Sequence, residues 1–216
     1  MTAFVSHPAG MMRGMVGCTS CGALAGAPLC DRCRRLLGPG RRFLTPDGLL
    51  VAAAFAHHGT GRVLVHRLKY QALVTAAEVL AAGMVAELPP GATALVPVPR
   101  ARGRRWRYGI DPARWLAQAV GRQTGLPVIT ALDAGWWWPR HAARGDAARS
   151  RVAFRPRARA DPGYVLIDDV ATSGATLDAA VAALSGAVHL GLVATAPSSM
   201  RRVSRPSGAL PSREVV

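Results

Sequence analysis

The sequence predicts an α/β protein whose main sheet is mostly parallel, with a small cysteine-containing module near the N-terminus. Short apolar runs, which are typical of buried strands, alternate along the chain with longer Ala- and Leu-rich stretches that are typical of helices. This alternation favours a mostly parallel sheet with both faces covered. The four cysteines all lie within residues 18–33, outside the alternating pattern.

The alternating pattern gives the predicted elements in chain order. Asp111 followed by Pro112 is typical of a helix start, with the aspartate as N-cap, and Gly125 is a typical helix end. We expect strands over 49–57, 94–98, 128–132, 164–167 and 188–194. We expect helices over 63–88 (one or two), 112–124 and 177–184. Glycine and proline clusters predict linkers around 38–40 and 46–48, and a basic loop is expected over 101–110.

Composition divides the chain into four predicted parts. Residues 1–17 are Gly- and Met-rich without a period, so we expect them to be loose. Residues 18–45 form the cysteine module, and residues 49–196 form the main domain. Residues 197–216 are rich in Ser, Pro and Arg, and we expect a disordered tail there.

The charge of the chain points to polyanionic partners. The formal net charge is +15, and nearly all of it is arginine because Lys69 is the only lysine. A basic surface of this kind attracts nucleotides, pyrophosphate or nucleic acid, without choosing among them. No run of eighteen apolar residues occurs, so we expect no membrane insertion. The residues before Cys18 lack the apolar region of a signal peptide, and we expect a cytoplasmic protein.

The cysteines have the spacing of a metal site. Cys18, Cys21, Cys30 and Cys33 form a C-x₂-C-x₈-C-x₂-C pattern, in which each pair can bring two thiolates to one ion. Four thiolates complete a tetrahedral zinc site without an open position, so its role would be structural. The metal would supply folding energy to a module too small for its own core. An iron–sulfur cluster or a redox pair remains the alternative.

The strongest chemical signal is a strand followed by a phosphate-binding type of turn. The apolar residues Val165–Ile167 precede two acids, Asp168 and Asp169, and a turn rich in glycine and hydroxyl groups then opens a helix. Ligands of open α/β sheets bind at the carboxyl ends of strands, and a helix N-terminus favours phosphate. The acids would repel a phosphate, unless they hold ribose hydroxyls or a Mg²⁺ that accompanies the ligand. The segment is not a Walker loop, because no Gly-Lys-Ser/Thr occurs.

This segment resembles the phosphoribosyl pyrophosphate (PRPP) signature of type I phosphoribosyltransferases. The resemblance implies a five-stranded parallel core with a mobile hood, with Mg²⁺ bound together with PRPP. It implies that Asp168 and Asp169 contact the ribose hydroxyls. The turn would hold the 5′-phosphate, with PRPP-binding residues Ala171, Thr172, Ser173, Gly174, Ala175 and Thr176.

The order of motifs along residues 18–196 resembles the ComF family of competence-associated phosphoribosyltransferase-like proteins. The order is a four-cysteine N-terminus, Leu68-Lys69-Tyr70, a Pro-Val-Pro segment, an arginine-rich loop, Ala153-Phe154 and the phosphate loop. By this resemblance Arg100 follows the strand that carries the pyrophosphate loop. Its planar guanidinium suits a leaving pyrophosphate, so Arg100 joins Asp168 and Asp169 as a catalytic candidate.

The chain also departs from these families. Purine-salvage members place an aspartate as general base where this chain has Thr172, so the resemblance implies an acceptor that needs no such base, or no transfer at all. Residues 107–111 read Arg-Tyr-Gly-Ile-Asp where ComF proteins have Arg-Gly-Phe-Asn. His141 stands where a glutamine is common, and residues 149–154 lack an asparagine. Lys69 is either a phosphate contact or a surface lysine.

Three functions follow as hypotheses. The first is a phosphoribosyltransferase with an unknown acceptor, and the second is a non-catalytic regulator that responds to PRPP. The third, which the ComF resemblance implies, is an accessory to DNA uptake that works with a helicase and single-strand handling proteins. Arginines interleaved with aromatic rings suit single-stranded DNA, as well as pyrophosphate. The relevant residues are Arg100, Arg102, Arg104, Arg105, Trp106, Arg107 and Tyr108, and the alternative is a solvated basic loop. A second set, Arg140, Arg144, Arg149 and Arg151, lies where the resemblance implies the hood, and Trp136, Trp137 and Trp138 either anchor its base or face a partner.

Overall fold

The structure is a computed structural model that describes residues 15–135, 154–158, 161–185, 188, 190–201 and 203. Its main body is a five-stranded sheet with helices on one face and a helix and a small hairpin on the other. The strands are β1 (Val16–Gly17), β2 (Leu24–Ala25), β3 (Pro39–Leu44), β4 (Leu50–Ala56), β5 (Ala94–Pro97), β6 (Leu132–Ala134), β7 (Phe154–Pro156), β8 (Tyr164–Val170) and β9 (Leu190–Ala196). The helices are α1 (Asp31–Arg35), α2 (Gly59–Gln71), α3 (Val74–Val85), α4 (Arg102–Tyr108), α5 (Pro112–Thr124) and α6 (Ala175–Ala183).

The sheet is mixed but mostly parallel, which confirms the predicted α/β class. Its strand order is β3-β4-β9-β8-β5. Strands β4, β9, β8 and β5 run parallel to one another, whereas the edge strand β3 is antiparallel to β4. The carboxyl ends of the parallel strands therefore meet at one edge of the sheet, where ligands of open α/β sheets bind.

Alternating side chains of the strands build two apolar cores. On one face Val165 and Ile167 of β8 pack with buried residues of α2, α3 and α5, such as Leu116. On the other face Leu166 of β8 packs with α6 and with the β6–β7 hairpin, including Leu177. Because successive side chains of a strand point to opposite faces, Asp168 and Asp169 leave the end of β8 in opposite directions.

The linker predicted around residue 39 is instead strand β3. Gly40 lies against the backbone of β4 so closely that an added Cβ would stand 1.8 Å from the carbonyl oxygen of Ala53. A glycine in a strand often marks such a close backbone approach, and a proline is tolerated at the first residue of an edge strand such as Pro39. Pro39 and Gly40 therefore belong to a strand, which the composition of the Gly-Pro-Gly sequence does not indicate.

Two other segments also differ from the predictions. The basic loop contains the short helix α4, since arginine is a good helix former even where no apolar period marks a helix. The strand predicted over 128–132 is reduced to one parallel bridge between Val128 and Leu95, and the chain then enters the separate β6–β7 hairpin. The predicted start of α5 is confirmed, with Asp111 as the N-cap residue and Pro112 in the first turn, although the side chain of Asp111 makes no capping hydrogen bond.

The first residues of the predicted tail contact the edge strand. Arg41 of β3 donates to the carbonyl oxygens of Ser198 (2.5 Å) and Met200 (2.9 Å), and the N–H of Val203 donates to the carbonyl of Arg42. Several predicted features lie outside the described residues. They are the rest of the predicted tail, residues 1–14 of the predicted loose N-terminus, His141, Trp136–138 and the four arginines of the predicted hood. Within the described ranges, every helix is too short or too polar to cross a membrane.

Candidate functional site

The turn between β8 and α6 has the form that the sequence predicts. It leads from Val170 to Ala175, with Thr172 and Ser173 exposed and Gly174 buried at the N-terminus of the helix. Gly174 has φ +82°, in the left-handed region that favours glycine. The turn therefore presents hydroxyl groups at the positive end of a helix dipole, which is a favourable place for an anion.

The turn between β3 and β4 supports this loop from behind. A Cβ added to Gly174 would lie 2.5 Å from Cγ2 of Thr45, so the side chain of Thr45 packs against the backbone of Gly174 and leaves no room for a side chain there. Thr45 is buried, and its Oγ1 accepts a hydrogen bond from the N–H of Leu49 at 2.9 Å. Asp178 in α6 accepts a bond from the N–H of Asp47 at 3.4 Å. Sequence reasoning missed this support, because these residues are distant from the loop along the chain.

The two acids at the end of β8 have different surroundings. Asp169 is 8% exposed and forms an ion pair with Lys69, whose Nζ lies 2.8 Å from Oδ1. Asp168 Oδ1 accepts a hydrogen bond from the N–H of Asp169 at 2.7 Å. Asp168 retains some exposed surface, yet it lies deep enough that burial raises its pKa well above the usual range. The charge of Asp169 raises the pKa of Asp168 further, while Lys69 opposes that effect.

Arg100 lies at the end of β5, the strand that pairs in parallel with β8. Its backbone N–H donates to Oδ2 of Asp111 at 3.1 Å, and its guanidinium carbon lies 4.8 Å from the centre of the Tyr108 ring. Among the described residues, Nη1 of Arg100 is buried without a hydrogen-bond partner, and so is Oδ1 of Asp111. Burial raises the pKa of Asp111. Unpaired buried polar atoms are costly, and they are typical of a site that completes its hydrogen bonds with a ligand.

An aromatic contact connects α2 and α4 beside these charges. The rings of Tyr70 and Tyr108 meet edge to face at 5.3 Å, and the ring of His66 lies 4.7 Å from that of Tyr70. Tyr70 directly follows Lys69, so this contact helps to position the helix end that carries the lysine. Spacing in the sequence gave no sign of this contact.

The four cysteines come together as their spacing predicts. Their sulfur atoms all lie within 4.8 Å of one another, a distance at which they could bind one metal ion. Burial raises the pKa of Cys18, but N–H groups of Cys21 and Cys30 outweigh that effect and bring it to about 6. Burial raises the pKa of Cys33 to about 11. Cys18, Cys33 and Leu29 pack in the same apolar core as α2, so the module is joined to the main domain.

The structure thus brings Asp168, Asp169, Arg100 and the turn 171–176 to one edge of the sheet, as the sequence predicts. It adds Asp111, which the sequence did not assign to the site, and it places Lys69, for which the sequence left a phosphate contact or a surface position open, against Asp169. No model of a known protein family matches the chain, and the curated proteins include no similar sequence. The functional argument therefore depends on the geometry of the site.

The raised pKa of Asp168 predicts that its ionised form destabilises the fold. Above the ordinary aspartate pKa of about 3.9, the folded state retains a proton that the unfolded chain releases, so stability falls as pH rises through this range. The variant Asp168→Asn has no carboxyl group to ionise at this position, so its stability does not fall in this way. We expect its urea midpoint to exceed that of the unsubstituted protein at pH 7, with the difference disappearing near pH 4.

Asp133 provides the control with the opposite sign. Hydrogen bonds from Arg157 and Arg102 lower its pKa, so ionisation of this carboxylate stabilises the fold. We expect Asp133→Asn to be less stable than the unsubstituted protein at pH 7. If both variants shifted the midpoint in the same direction, the interpretation of Asp168 would be wrong.

Proposed function

We propose that this chain binds PRPP together with Mg²⁺, in a domain of the type I phosphoribosyltransferase class that resembles the ComF family. The observation that carries the proposal is the juxtaposition at one sheet edge of two features. One is the Gly174 turn that opens α6 beside Asp168 and Asp169, and the other is Arg100, three residues after the end of the adjacent strand β5. The two features suit the 5′-phosphate and the pyrophosphate of one small ligand.

Each group has a chemical task in this proposal. The turn 171–176 would hold the 5′-phosphate, with the hydroxyls of Thr172, Ser173 and Thr176 and the N-terminus of α6. Asp168 and Asp169 would accept hydrogen bonds from the ribose hydroxyls. The guanidinium of Arg100, with its unpaired buried nitrogen, would bind the pyrophosphate. Mg²⁺ would reduce the negative charge of the pyrophosphate, and carboxylate oxygens are among the ligands that it prefers.

If the protein is an enzyme, an acceptor forms a bond to C1′ while the bond to pyrophosphate breaks. Pyrophosphate leaves with the bonding electron pair, and charge stabilisation by Arg100 would favour that step. Thr172 cannot serve as a general base, so the acceptor would be a nucleophile that needs no deprotonation by this residue. A protein that binds PRPP without transferring it, and responds to its concentration, fits the same geometry.

Calorimetric titration of Mg²⁺–PRPP into the metal-loaded protein tests this proposal. We expect the intact protein to bind one PRPP per chain. The double variant Asp168→Asn/Asp169→Asn should lose at least about tenfold in affinity, because two acceptors of the ribose hydroxyls become amides. The matched control is Asp161→Asn, on the turn before β8 at the opposite edge of the sheet, which should bind as the intact protein does. No binding by the intact protein would contradict the proposal.

For the cysteine cluster the proposed ion is structural zinc. All four thiols face one another at a distance suited to tetrahedral coordination, and no other cysteine is present in the chain to compete. We expect elemental analysis to find about one zinc per chain. Cys30→Ser should weaken zinc retention and lower the melting temperature, because binding free energy contributes to folding. A visible absorption spectrum typical of iron–sulfur clusters would contradict this assignment.

A second function, binding of single-stranded DNA, is favoured by the exposed side of α4. Trp106 is 85% exposed, and Arg105 and Arg107 next to it are exposed as well. An exposed tryptophan beside arginines provides base stacking and phosphate contacts. In the Arg-rich segment the side chain of Arg104 lies outside the described residues.

Fluorescence polarisation with a labelled oligothymidylate tests this second function. We expect binding at low salt that weakens as salt increases, and a loss of about tenfold in Arg105→Ala/Trp106→Ala. Arg122→Ala is the control, because Arg122 is an exposed arginine that already pairs with Glu78. Absence of binding at low salt, or equal loss in the control, would exclude α4 as a DNA-binding surface.

A further inference from the structure

Lys69 and Asp169 form a well shielded ion pair in the candidate site. Nζ of Lys69 lies 2.8 Å from Oδ1 of Asp169, and the two side chains are 23% and 12% exposed. In the other ion pairs of the described residues, the carboxylate side chain is 28–42% exposed. Screening by water and salt is weaker for a shielded pair, so the attraction between Lys69 and Asp169 is stronger than that of an exposed pair at the same distance.

Asp169 of the ion pair and two further carboxylates, Asp168 and Asp111, influence one another's ionisation. The charge of Asp169 disfavours ionisation of both Asp168 and Asp111, and Asp111 disfavours ionisation of Asp168. Lys69 counteracts the repulsion at Asp168, and Arg105 does so at Asp111. Asp111 is 8% exposed, and its Oδ1 has no hydrogen-bond partner among the described residues. The carboxylates therefore have more acceptor capacity than the surrounding protein uses.

A group of carboxylates with free acceptor capacity attracts a divalent cation. Lys69 supplies a compact positive charge to the same group, and an ammonium is a point charge that can move on a flexible stem. It is carried by the last turn of α2, directly before Tyr70, whose ring contact with Tyr108 holds this helix end. The ammonium of Lys69 thus occupies the position beside Asp169 where a cation would bind.

We infer that Lys69 is a specificity-determining residue that acts as a resident cation, excluding free divalent ions from the acidic group until an anionic ligand arrives. On binding, the ammonium exchanges Asp169 for an oxygen of the ligand's phosphate or pyrophosphate. The metal ion then enters only together with that ligand. The second part of this inference rests on the proposed function, whereas the exclusion of free metal ions does not.

Titration of Mn²⁺ alone, followed by the EPR signal of the free ion, tests this inference on the zinc-loaded protein. Mn²⁺ prefers oxygen ligands and leaves thiolate-bound zinc in place. We expect weak binding by the unsubstituted protein and at least about tenfold tighter binding of one Mn²⁺ by Lys69→Met. Lys69→Arg keeps the charge and should bind as weakly as the unsubstituted protein. Lys69→Met/Asp169→Asn should lose the gain.

Two controls separate this effect from general changes in charge or folding. Arg122→Met removes one positive charge from an exposed pair and should leave the Mn²⁺ affinity unchanged. Thermal unfolding of each variant shows whether it is folded, and Lys69→Gln provides a second neutral variant if Lys69→Met is not. Equal Mn²⁺ affinity of the folded neutral variants and the unsubstituted protein would overturn the inference.

The same titrations distinguish failure of this inference from failure of the proposed function. Tighter Mn²⁺ binding by Lys69→Met, with no PRPP binding by the intact protein, would support the role of Lys69 and contradict PRPP as the ligand. Binding of PRPP by the intact protein without a change in Mn²⁺ affinity would overturn the role of Lys69 and leave the proposed function intact.

Discussion

The parallel pairing of β8 with β9 on one side and β5 on the other is the constraint on which the rest of the site depends. It places the end of β8, with its two acids and the Gly174 turn, next to the end of β5 with Arg100. In the described residues, α4, α5, β6 and β7 lie between β5 and β8 along the chain. Only a parallel sheet with crossover connections brings their ends to the same edge.

The site has an electrostatic cost that the surrounding structure partly offsets. Asp168 and Asp111 are held where burial and neighbouring acids oppose ionisation, and Arg100 keeps a buried nitrogen without a partner in the described residues. Lys69 compensates part of this charge from α2. Unsatisfied groups of this kind usually occur where a protein binds a ligand. They lower the stability of the free protein, and favourable packing in the rest of the fold offsets that loss.

Much of the fold and part of the site could be predicted from the chain alone. The strand that leads into Asp168, the glycine turn and the helix that follows were predicted, although β8 continues through both acids to Val170, because an apolar run, a glycine turn and an alanine-rich helix are local patterns. The cysteine cluster was also predictable from spacing. The strand β3 and the helix α4 were not, because Gly40 depends on contact with β4 and α4 carries no apolar period.

The sequence by itself determined the α/β class, the position of the glycine turn that opens α6 and the grouping of the thiols, since each depends on residues that are close along the chain. Tertiary structure alone decided that Lys69 pairs with Asp169, that the side chain of Asp111 accepts a hydrogen bond from the backbone of Arg100, and that Thr45 packs behind Gly174. Each of these contacts joins separate elements through the sheet order. Local propensity carries no information about which strand ends become neighbours.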